Sequence, residues 1–197
     1  MRTAAGELGL PPLVDHHDFA TLGEWIDMLY RQYRAIVHDA GIRLWGKPIV
    51  ARGGVEEDGR DAAFWHAITD GAGKKAGRRR RTLAPRRADR LGQAWHLLEL
   101  LSTGDVRAVW WREYMPTSTR VLVTTVDFRF VVVLQESRRF FSLVTVYPIG
   151  KRRRGLYMSR AADAWESGRC YVPVVKRRSA PGPYYSPDAI ERHRCWL

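Results

Sequence analysis

Between Asp105 and Tyr147 the chain consists of short runs of β-branched and aromatic residues, which turn-forming residues interrupt and no helical repeat connects. This pattern is typical of an antiparallel meander, in which each strand pairs with the next. We predict four strands, over Val106–Glu113, Thr119–Val126, Phe128–Gln135 and Arg139–Tyr147. Strict alternation along the last strand would place Thr145 and Tyr147 on the same face as Phe141 and Leu143. Helices are expected to cover one side of this sheet and to leave the other side open.

Three earlier segments carry apolar residues at helical spacing. They predict helices that run from Asp18 or Thr21 to Ala40, over Asp61–Thr69 and over Pro85–Leu101. The side chains expected to face the core include Trp25, Leu29, Ile36, Phe64, Ile68, Leu91, Trp95 and Leu98. The predicted fold class is therefore α+β, with N-terminal helices packed on a four-stranded antiparallel β-meander and followed by a basic C-terminal arm.

A chain of 197 residues suits one hydrophobic core. Within it we distinguish an N-terminal arm and helix (1–41), an α+β core (42–149) and a basic arm rich in Pro and Tyr (150–197). No secretory signal is apparent at the N-terminus, and no apolar run approaches the roughly 18 residues of a membrane helix. The two cysteines, Cys170 and Cys195, both lie in the arm. We expect a cytoplasmic protein whose cysteines are reduced. A single disulfide between these two cysteines is the alternative.

The positive charge of the chain is concentrated in two segments. The formal net charge is +12, with nine basic residues against one acidic residue in 74–90 and nine against two in 151–178. Clustered positive charge favours a polyanionic partner. The residues expected to contact nucleic acid are Lys74, Lys75, Arg78, Arg79, Arg80, Arg81, Arg86, Arg152, Arg153 and Arg154. A solvated loop or an acidic partner protein are the alternatives.

The chain shows no phosphate-binding glycine loop, dinucleotide fingerprint or zinc-ligand spacing. His16 and His17 are a lone pair in the arm, so neither a metal nor a cofactor is expected. Cleavage by two metal ions requires converging carboxylates. The acids in and around the predicted sheet are scattered (Asp89, Asp105, Glu113 and Asp127). A histidine, several arginines and hydroxyl groups remain, which suit cleavage of RNA without a metal.

Three blocks of sequence occur in order: F-W-H-A-I-T-D (Phe64–Asp70), R-R-A-D-R-L (Arg86–Leu91) followed by Trp95, and F-V-V-V-L with F-F-S-L-V-T-V-Y-P (Phe130–Pro148). Together they resemble the phage-associated branch of the barnase/EndoU/colicin/RelE nuclease superfamily, the phage P1-related proteins, over roughly residues 46–149. The resemblance implies helices on a four-stranded sheet and a metal-independent ribonuclease. In that pattern the histidine matches His66, the helix arginines match Arg87 and Arg90, and the strand hydroxyls match Thr145 and Tyr147.

The leading hypothesis is a metal-independent endoribonuclease or RelE-like ribonuclease toxin of phage or mobile-element origin, which acts on RNA such as tRNA or ribosome-bound mRNA. His66 would be the acid or base, Arg87 and Arg90 would hold the phosphate, and Thr145 and Tyr147 would orient it. A non-catalytic RNA- or DNA-binding module is the alternative, and an acidic antitoxin or inhibitor as partner is a third. Each residue also has an ordinary explanation: His66 could simply pack, and the arginines could pair with Glu99 or Asp89.

Overall fold

The computed structural model describes residues 9–39, 41–56, 58–70, 82–105, 107–168 and 170–171. These residues form an α+β fold, as predicted, in which a mixed sheet lies between two layers of helices. The helices are α1 (Leu22–Arg34), α2 (Ala62–Ile68), α3 (Pro85–Ala88), α4 (Leu91–Ser102) and α5 (Lys151–Glu166). The strands are β1 (Arg43–Leu44), β2 (Lys47–Val50), β3 (Thr69–Asp70), β4 (Thr82–Leu83), β5 (Ala108–Met115), β6 (Ser118–Thr125), β7 (Phe130–Glu136), β8 (Phe141–Pro148) and β9 (Cys170–Tyr171).

The main sheet has the strand order β1-β2-β8-β7-β6-β5-β9. The four predicted strands correspond to β5, β6, β7 and β8, which pair antiparallel in sequence order. The prediction of a sheet made of four antiparallel strands alone is wrong. β2 pairs with β8 in parallel, and β1 and β9 lie at the two edges. Strands of two to four residues are too short for a periodic pattern that would indicate their partners.

Helices α1, α2 and α4 cover one face of the sheet. Thr21 is the N-cap of α1: its Oγ1 accepts from the Glu24 amide (3.2 Å), and the Glu24 carboxylate accepts from the amide of Ala20, the residue before the cap (3.1 Å). The predicted single helix over Pro85–Leu101 is divided, since the backbone leaves helical geometry at Arg90. The buried cluster on this face includes Trp25, Leu29, Tyr33, Phe64, Ile68, Leu91, Leu97, Phe130, Val132 and Val146. Trp95, expected inside, is only partly buried.

The other face of the sheet is covered by α5, so the predicted open face is wrong for this fold. The buried residues of α5 recur at helical spacing, at positions 157, 161, 164 and 165, and they pack with Trp111 and Val131. Two of these four residues are alanines, and the first turn is entirely basic. Because alanine is only weakly apolar and the first turn is charged, this stripe does not stand out in the sequence, which was therefore interpreted as a basic arm. Residues 172–197 of that predicted arm lie outside the described residues.

A β-bulge in β8 changes which side chains share a face. Val133 pairs with Thr145 and Leu134 pairs with Leu143, so Val144 is an extra residue. The predicted alternation is therefore wrong beyond Leu143. Thr145 and Tyr147 pair with Val133 and Val131 and lie on the face of the sheet that α5 covers. Val146, rather than these two residues, packs in the core beneath α1, α2 and α4.

Candidate nucleic-acid interface

Residues 86–90 of the first basic segment and residues 151–154 of the second lie at one end of the sheet. The guanidinium carbon of Arg90 lies 5.5 Å from the centroid of the Phe130 ring at the start of β7. Phe130 pairs with Pro148 at the end of β8, and α5 begins three residues later at Lys151. We call this region the basic end of the sheet. Its cations are Arg86, Arg87, Arg90, Arg129, Lys151, Arg152, Arg153 and Arg154.

The exposed cations of the basic end are not neutralised by nearby acids. Arg86, Lys151, Arg152 and Arg153 are exposed, and within the described part of the chain their side chains contact no carboxylate. Arg129 differs, because its Nε lies 2.6 Å from Oδ2 of Asp127. The surface therefore keeps an excess of positive charge that is accessible to a phosphate backbone.

Arg87 connects α3 to β3, the strand after which the arginine-rich segment 71–81 begins. Its Nη1 donates to the Thr69 carbonyl (3.1 Å), and its Nη2 lies 2.8 Å from Oδ1 of Asp70. The partner is thus Asp70, rather than Glu99 or Asp89. β3 and β4 pair directly on either side of this segment. The predicted contacts Lys74, Lys75, Arg78, Arg79, Arg80 and Arg81 lie outside the described residues.

Two further predicted site residues, His66 and Arg90, lie on the elements next to Arg87. His66 is exposed on α2, three residues before the Thr69 carbonyl that Arg87 contacts. Arg90 is only partly exposed, donates to Oε1 of Gln93 (2.9 Å), and packs over Phe130. Burial lowers the pKa of Arg90 from its ordinary value. The structure therefore brings His66, Arg87 and Arg90 to the same side of the sheet.

Thr145 and Tyr147 lie across the sheet from the histidine and the arginines. The hydroxyl oxygen of Tyr147 is 2.6 Å from that of Tyr157 on α5, and burial followed by this contact raises the pKa of Tyr147. The Thr145 hydroxyl is buried, and it has no hydrogen-bond partner in the described part of the chain. The five residues predicted from the resemblance consequently do not share one cleft.

A second polar group, which the sequence did not indicate, lies at the N-terminal end of α2. Asp61 is 8% exposed, its Oδ2 lies 3.1 Å from His38 Nε2, and the same oxygen accepts a hydrogen bond from the Tyr30 hydroxyl (3.3 Å). Asp61 occupies the N-cap position of α2, yet its side chain does not cap the helix. The carboxylate therefore orients an imidazole and a phenol instead.

His38 is well placed to act on a bound ligand. It lies in the π-helical turn Ala35–Asp39, a geometry that is frequent at functional sites, and its side chain is 42% exposed. An imidazole oriented by a buried carboxylate can take up and release a proton. His38 and Asp61 are 23 residues apart and belong to no common periodic pattern, so only the fold brings them together.

Trp110 and Trp111 are adjacent on β5 and point to opposite faces of the sheet. Trp111 is fully buried beneath α5, whereas Trp110 is partly buried and its ring centroid lies 4.5 Å from that of Trp45. The guanidinium of Arg112 lies 5.2 Å from both of the rings on that face.

In the described part of the chain, none of the helices combines the length and the apolar character that crossing a bilayer demands. Comparison of the chain with protein-family models, with curated proteins and with solved structures found no match in any of the three. The resemblance to the nuclease superfamily therefore rests on the three sequence blocks alone.

Proposed function

We propose that this protein binds RNA and that the basic end of the sheet is the binding surface. One observation supports the proposal: the last residues of one basic segment (86–90) and the first residues of the other (151–154), about sixty residues apart in sequence, lie at the same end of one sheet. Exposed arginines and lysines that lie together can contact successive phosphates, and the release of counterions then favours binding. The choice of RNA comes from the resemblance, so DNA is the comparison ligand.

Charge reversal tests this proposal. The variant Arg86→Glu/Arg152→Glu/Arg153→Glu changes three exposed side chains of the basic end that have no acidic partner in the described residues. A matched control, Arg120→Glu/Arg138→Glu/Arg139→Glu, changes three exposed arginines toward the opposite end of strands β6, β7 and β8. We expect the first variant to weaken binding of a labelled RNA, followed by fluorescence anisotropy, by roughly 100-fold.

The control is expected to change the affinity much less, although it alters the net charge by the same amount. Equal losses for the two variants would contradict a defined surface, because they would show that only the total charge matters. Unchanged binding in both variants would move the interface away from the described residues at the basic end. DNA of the same sequence, bound as tightly as the RNA, would contradict the choice of ligand but not the surface.

A second candidate function is metal-independent endoribonuclease activity, and the His38–Asp61 pair favours it. His38 contacts Asp61 at the N-terminal end of α2, and His66 lies five residues after Asp61, about 7.5 Å further along the helix axis at 1.5 Å per residue. One imidazole would remove the proton from a ribose 2′-hydroxyl, whose oxygen then attacks the adjacent phosphorus. The bond from phosphorus to the 5′-oxygen breaks, and the other imidazole gives a proton to that leaving oxygen.

Incubation of the protein with total RNA in EDTA tests this candidate. Cleavage that leaves 2′,3′-cyclic phosphate and 5′-hydroxyl ends is expected. His38→Ala or His66→Ala should each reduce the rate by about 10²–10⁴-fold while RNA affinity is unchanged. His96→Ala, in a partly exposed histidine on α4, is the control. RNA that stays intact at micromolar protein would exclude the activity and would leave RNA binding as the function.

A further inference from the structure

The contact between His38 and Asp61 includes a third side chain, the phenol of Tyr30 on α1. One carboxylate oxygen, Oδ2 of Asp61, lies 3.1 Å from Nε2 of His38 and 3.3 Å from the Tyr30 hydroxyl. The Asp61 side chain is only 11% exposed, whereas that of His38 is 42% exposed. A mostly buried carboxylate is therefore shared between a phenol and an imidazole that reaches the surface.

The Tyr30 ring is fixed by the side chains around it. Its centroid lies 6.1 Å from that of Tyr33 and 5.0 Å from that of Phe64, and both of these rings are fully buried. The guanidinium carbon of Arg60 lies 5.8 Å from the same centroid. Burial, and after it the charge of Asp61, raises the pKa of Tyr30. The phenol therefore keeps its proton at neutral pH and donates it to the carboxylate.

This arrangement determines which ring nitrogen of His38 can react. An ionised carboxylate only accepts hydrogen bonds, so Nε2 of a neutral His38 must carry the ring proton and donate it to Asp61. Nδ1 is then the nitrogen without a proton. Among the described residues, the His38 ring has no hydrogen-bond partner other than Asp61. Nδ1 is bonded to the ring carbon nearest the backbone, so a reacting group must approach the turn Ala35–Asp39.

We propose that Tyr30 is a positioning residue, which fixes Asp61 so that His38 presents Nδ1 to the ligand. This inference rests on the second candidate function, in which His38 and His66 each transfer one proton during RNA cleavage. Nδ1 is the atom of His38 that accepts the proton of the 2′-hydroxyl or gives a proton to the leaving 5′-oxygen. Nε2 keeps its own proton and its contact with Asp61 throughout, so Tyr30 acts through the carboxylate and does not touch the RNA.

The neighbouring phenol of Tyr33 provides a matched control. Tyr33 follows Tyr30 by three residues on α1, and the two rings are stacked. Its hydroxyl oxygen is buried and has no hydrogen-bond partner among the described residues. Tyr30→Phe and Tyr33→Phe each remove one phenolic oxygen and keep the aromatic ring, so the packing is preserved in both. Only the first of these changes removes a hydrogen bond to Asp61.

Nuclear magnetic resonance of the full-length protein labelled with ¹⁵N tests the arrangement without a substrate. Once the ring of His38 is titrated to its neutral form, Nε2 should carry a proton that exchanges slowly with water, and Nδ1 should carry none. Tyr30→Phe should raise the exchange rate of this proton by about tenfold, and Asp61→Ala should abolish its signal. Tyr33→Phe should leave the rate unchanged. A proton on Nδ1, or equal effects of the two tyrosine variants, would overturn the proposal.

The kinetics of RNA cleavage connect the arrangement to catalysis. Tyr30→Phe should lower kcat about tenfold and leave KM unchanged, because the phenol does not touch the RNA. In the His38→Ala protein the same change should have no further effect. A tenfold loss that persists without His38 would show that Tyr30 acts independently of the imidazole, and it would overturn the proposal. If the native protein does not cleave RNA, the second candidate function fails, while the resonance measurements still decide whether Tyr30 positions His38.

Discussion

The phenol of Tyr147 on β8 makes a hydrogen bond with the phenol of Tyr157 on α5. Its oxygen is 2.6 Å from that of Tyr157, and its pKa is raised by burial, so it is poorly suited to ionise. Asp61 differs from Tyr147: it is buried, but its carboxylate contacts the imidazole of His38, which is partly exposed. At this scale, the Tyr147 hydroxyl is occupied by Tyr157, whereas the imidazole of His38 on the α2 side of the sheet is accessible to a ligand.

Replacement of Tyr147 by Phe tests this assignment. The change removes one hydrogen bond between two neutral groups, so the free energy of unfolding should fall by about 1 kcal/mol in urea denaturation. RNA affinity and any RNA cleavage should be unchanged. Tyr157→Phe should cost a similar amount, and the double variant should cost less than the sum of the two. A loss of cleavage with unaltered stability would instead support the catalytic role that the resemblance implies.

Asp89 shows how a single poorly satisfied group affects stability. Its raised pKa means that the folded state holds the proton more tightly than the unfolded state does. Its ionisation therefore opposes folding, and this effect develops as the pH rises from about 4 through the raised pKa. In EDTA at pH 7, Asp89→Asn should increase the free energy of unfolding. At a pH well below 4 the variant and the native protein should differ little, and a destabilised variant at pH 7 would contradict this account.

At the scale of elements, Glu136 connects three strands at the end of the sheet away from the basic end. Its carboxylate lies 2.9 Å from Lys47 Nζ on β2 and 2.7 Å from Arg112 Nε on β5. Burial alone would raise the pKa of Glu136, but the hydrogen bonds from Arg112 and Lys47 outweigh it and hold the pKa below its usual range. This group therefore stabilises the mixed sheet, including the strand that pairs in parallel.

Replacement of Glu136 by Gln should reduce the free energy of unfolding at pH 7 by about 1 kcal/mol, because the pairs are partly exposed. Since the folded pKa is depressed, the stabilisation is present above the unfolded value of about 4.3 and is lost as the pH falls through the folded pKa. Urea denaturation at pH 7 and pH 3 measures both limits. Glu166→Gln, in an exposed residue at the end of α5, is the control. A cost that is the same at both pH values would contradict the ion-pair explanation.

The elements with strong periodic patterns could be predicted from the sequence, and those defined by pairing could not. The stripe of α1 and the β-branched runs of β5 to β8 indicated their structures because each repeats over seven residues or more. The bulge at Val144 leaves no signature, since any β-branched residue can occupy it. One extra residue was enough to move Thr145 and Tyr147 to the other face. The His38–Asp61 contact depends on how the π-helical turn after α1 packs against the start of α2, which local sequence does not encode.

For the molecule as a whole, the sheet separates two environments. The layer between the sheet and α5 is apolar, with Trp111, Tyr157 and Trp165 in one buried cluster, whereas the α2 and α3 side carries His38 and His66 and leads to the segment 71–81. Because β3 and β4 bring the ends of this segment together beside Arg87, its basic residues are tethered to the basic end of the sheet. A single RNA could contact both groups of cations.

Charge reversal within the segment tests this connection. Arg78→Glu/Arg79→Glu/Arg80→Glu/Arg81→Glu should weaken RNA binding strongly in the anisotropy assay, since it reverses four of the nine basic charges in residues 74–90. When these four substitutions are combined with the triple variant of the basic end, RNA affinity should fall to that of a protein with no basic surface. If the segment variant alone binds RNA normally, the segment is not part of the interface, and a role toward an acidic partner protein would be favoured.

The dependence of RNA affinity on salt concentration tests the central claim most directly. We predict that affinity falls about 10³–10⁵-fold between 50 and 200 mM salt if six or more cations contact phosphates. In a plot of log affinity against log salt concentration, the variant Arg86→Glu/Arg152→Glu/Arg153→Glu should have a slope shallower by about two to three, at roughly 0.7–0.9 for each lost contact. The control Arg120→Glu/Arg138→Glu/Arg139→Glu should keep the native slope. Identical slopes for all three proteins would show that the basic end of the sheet does not bind RNA.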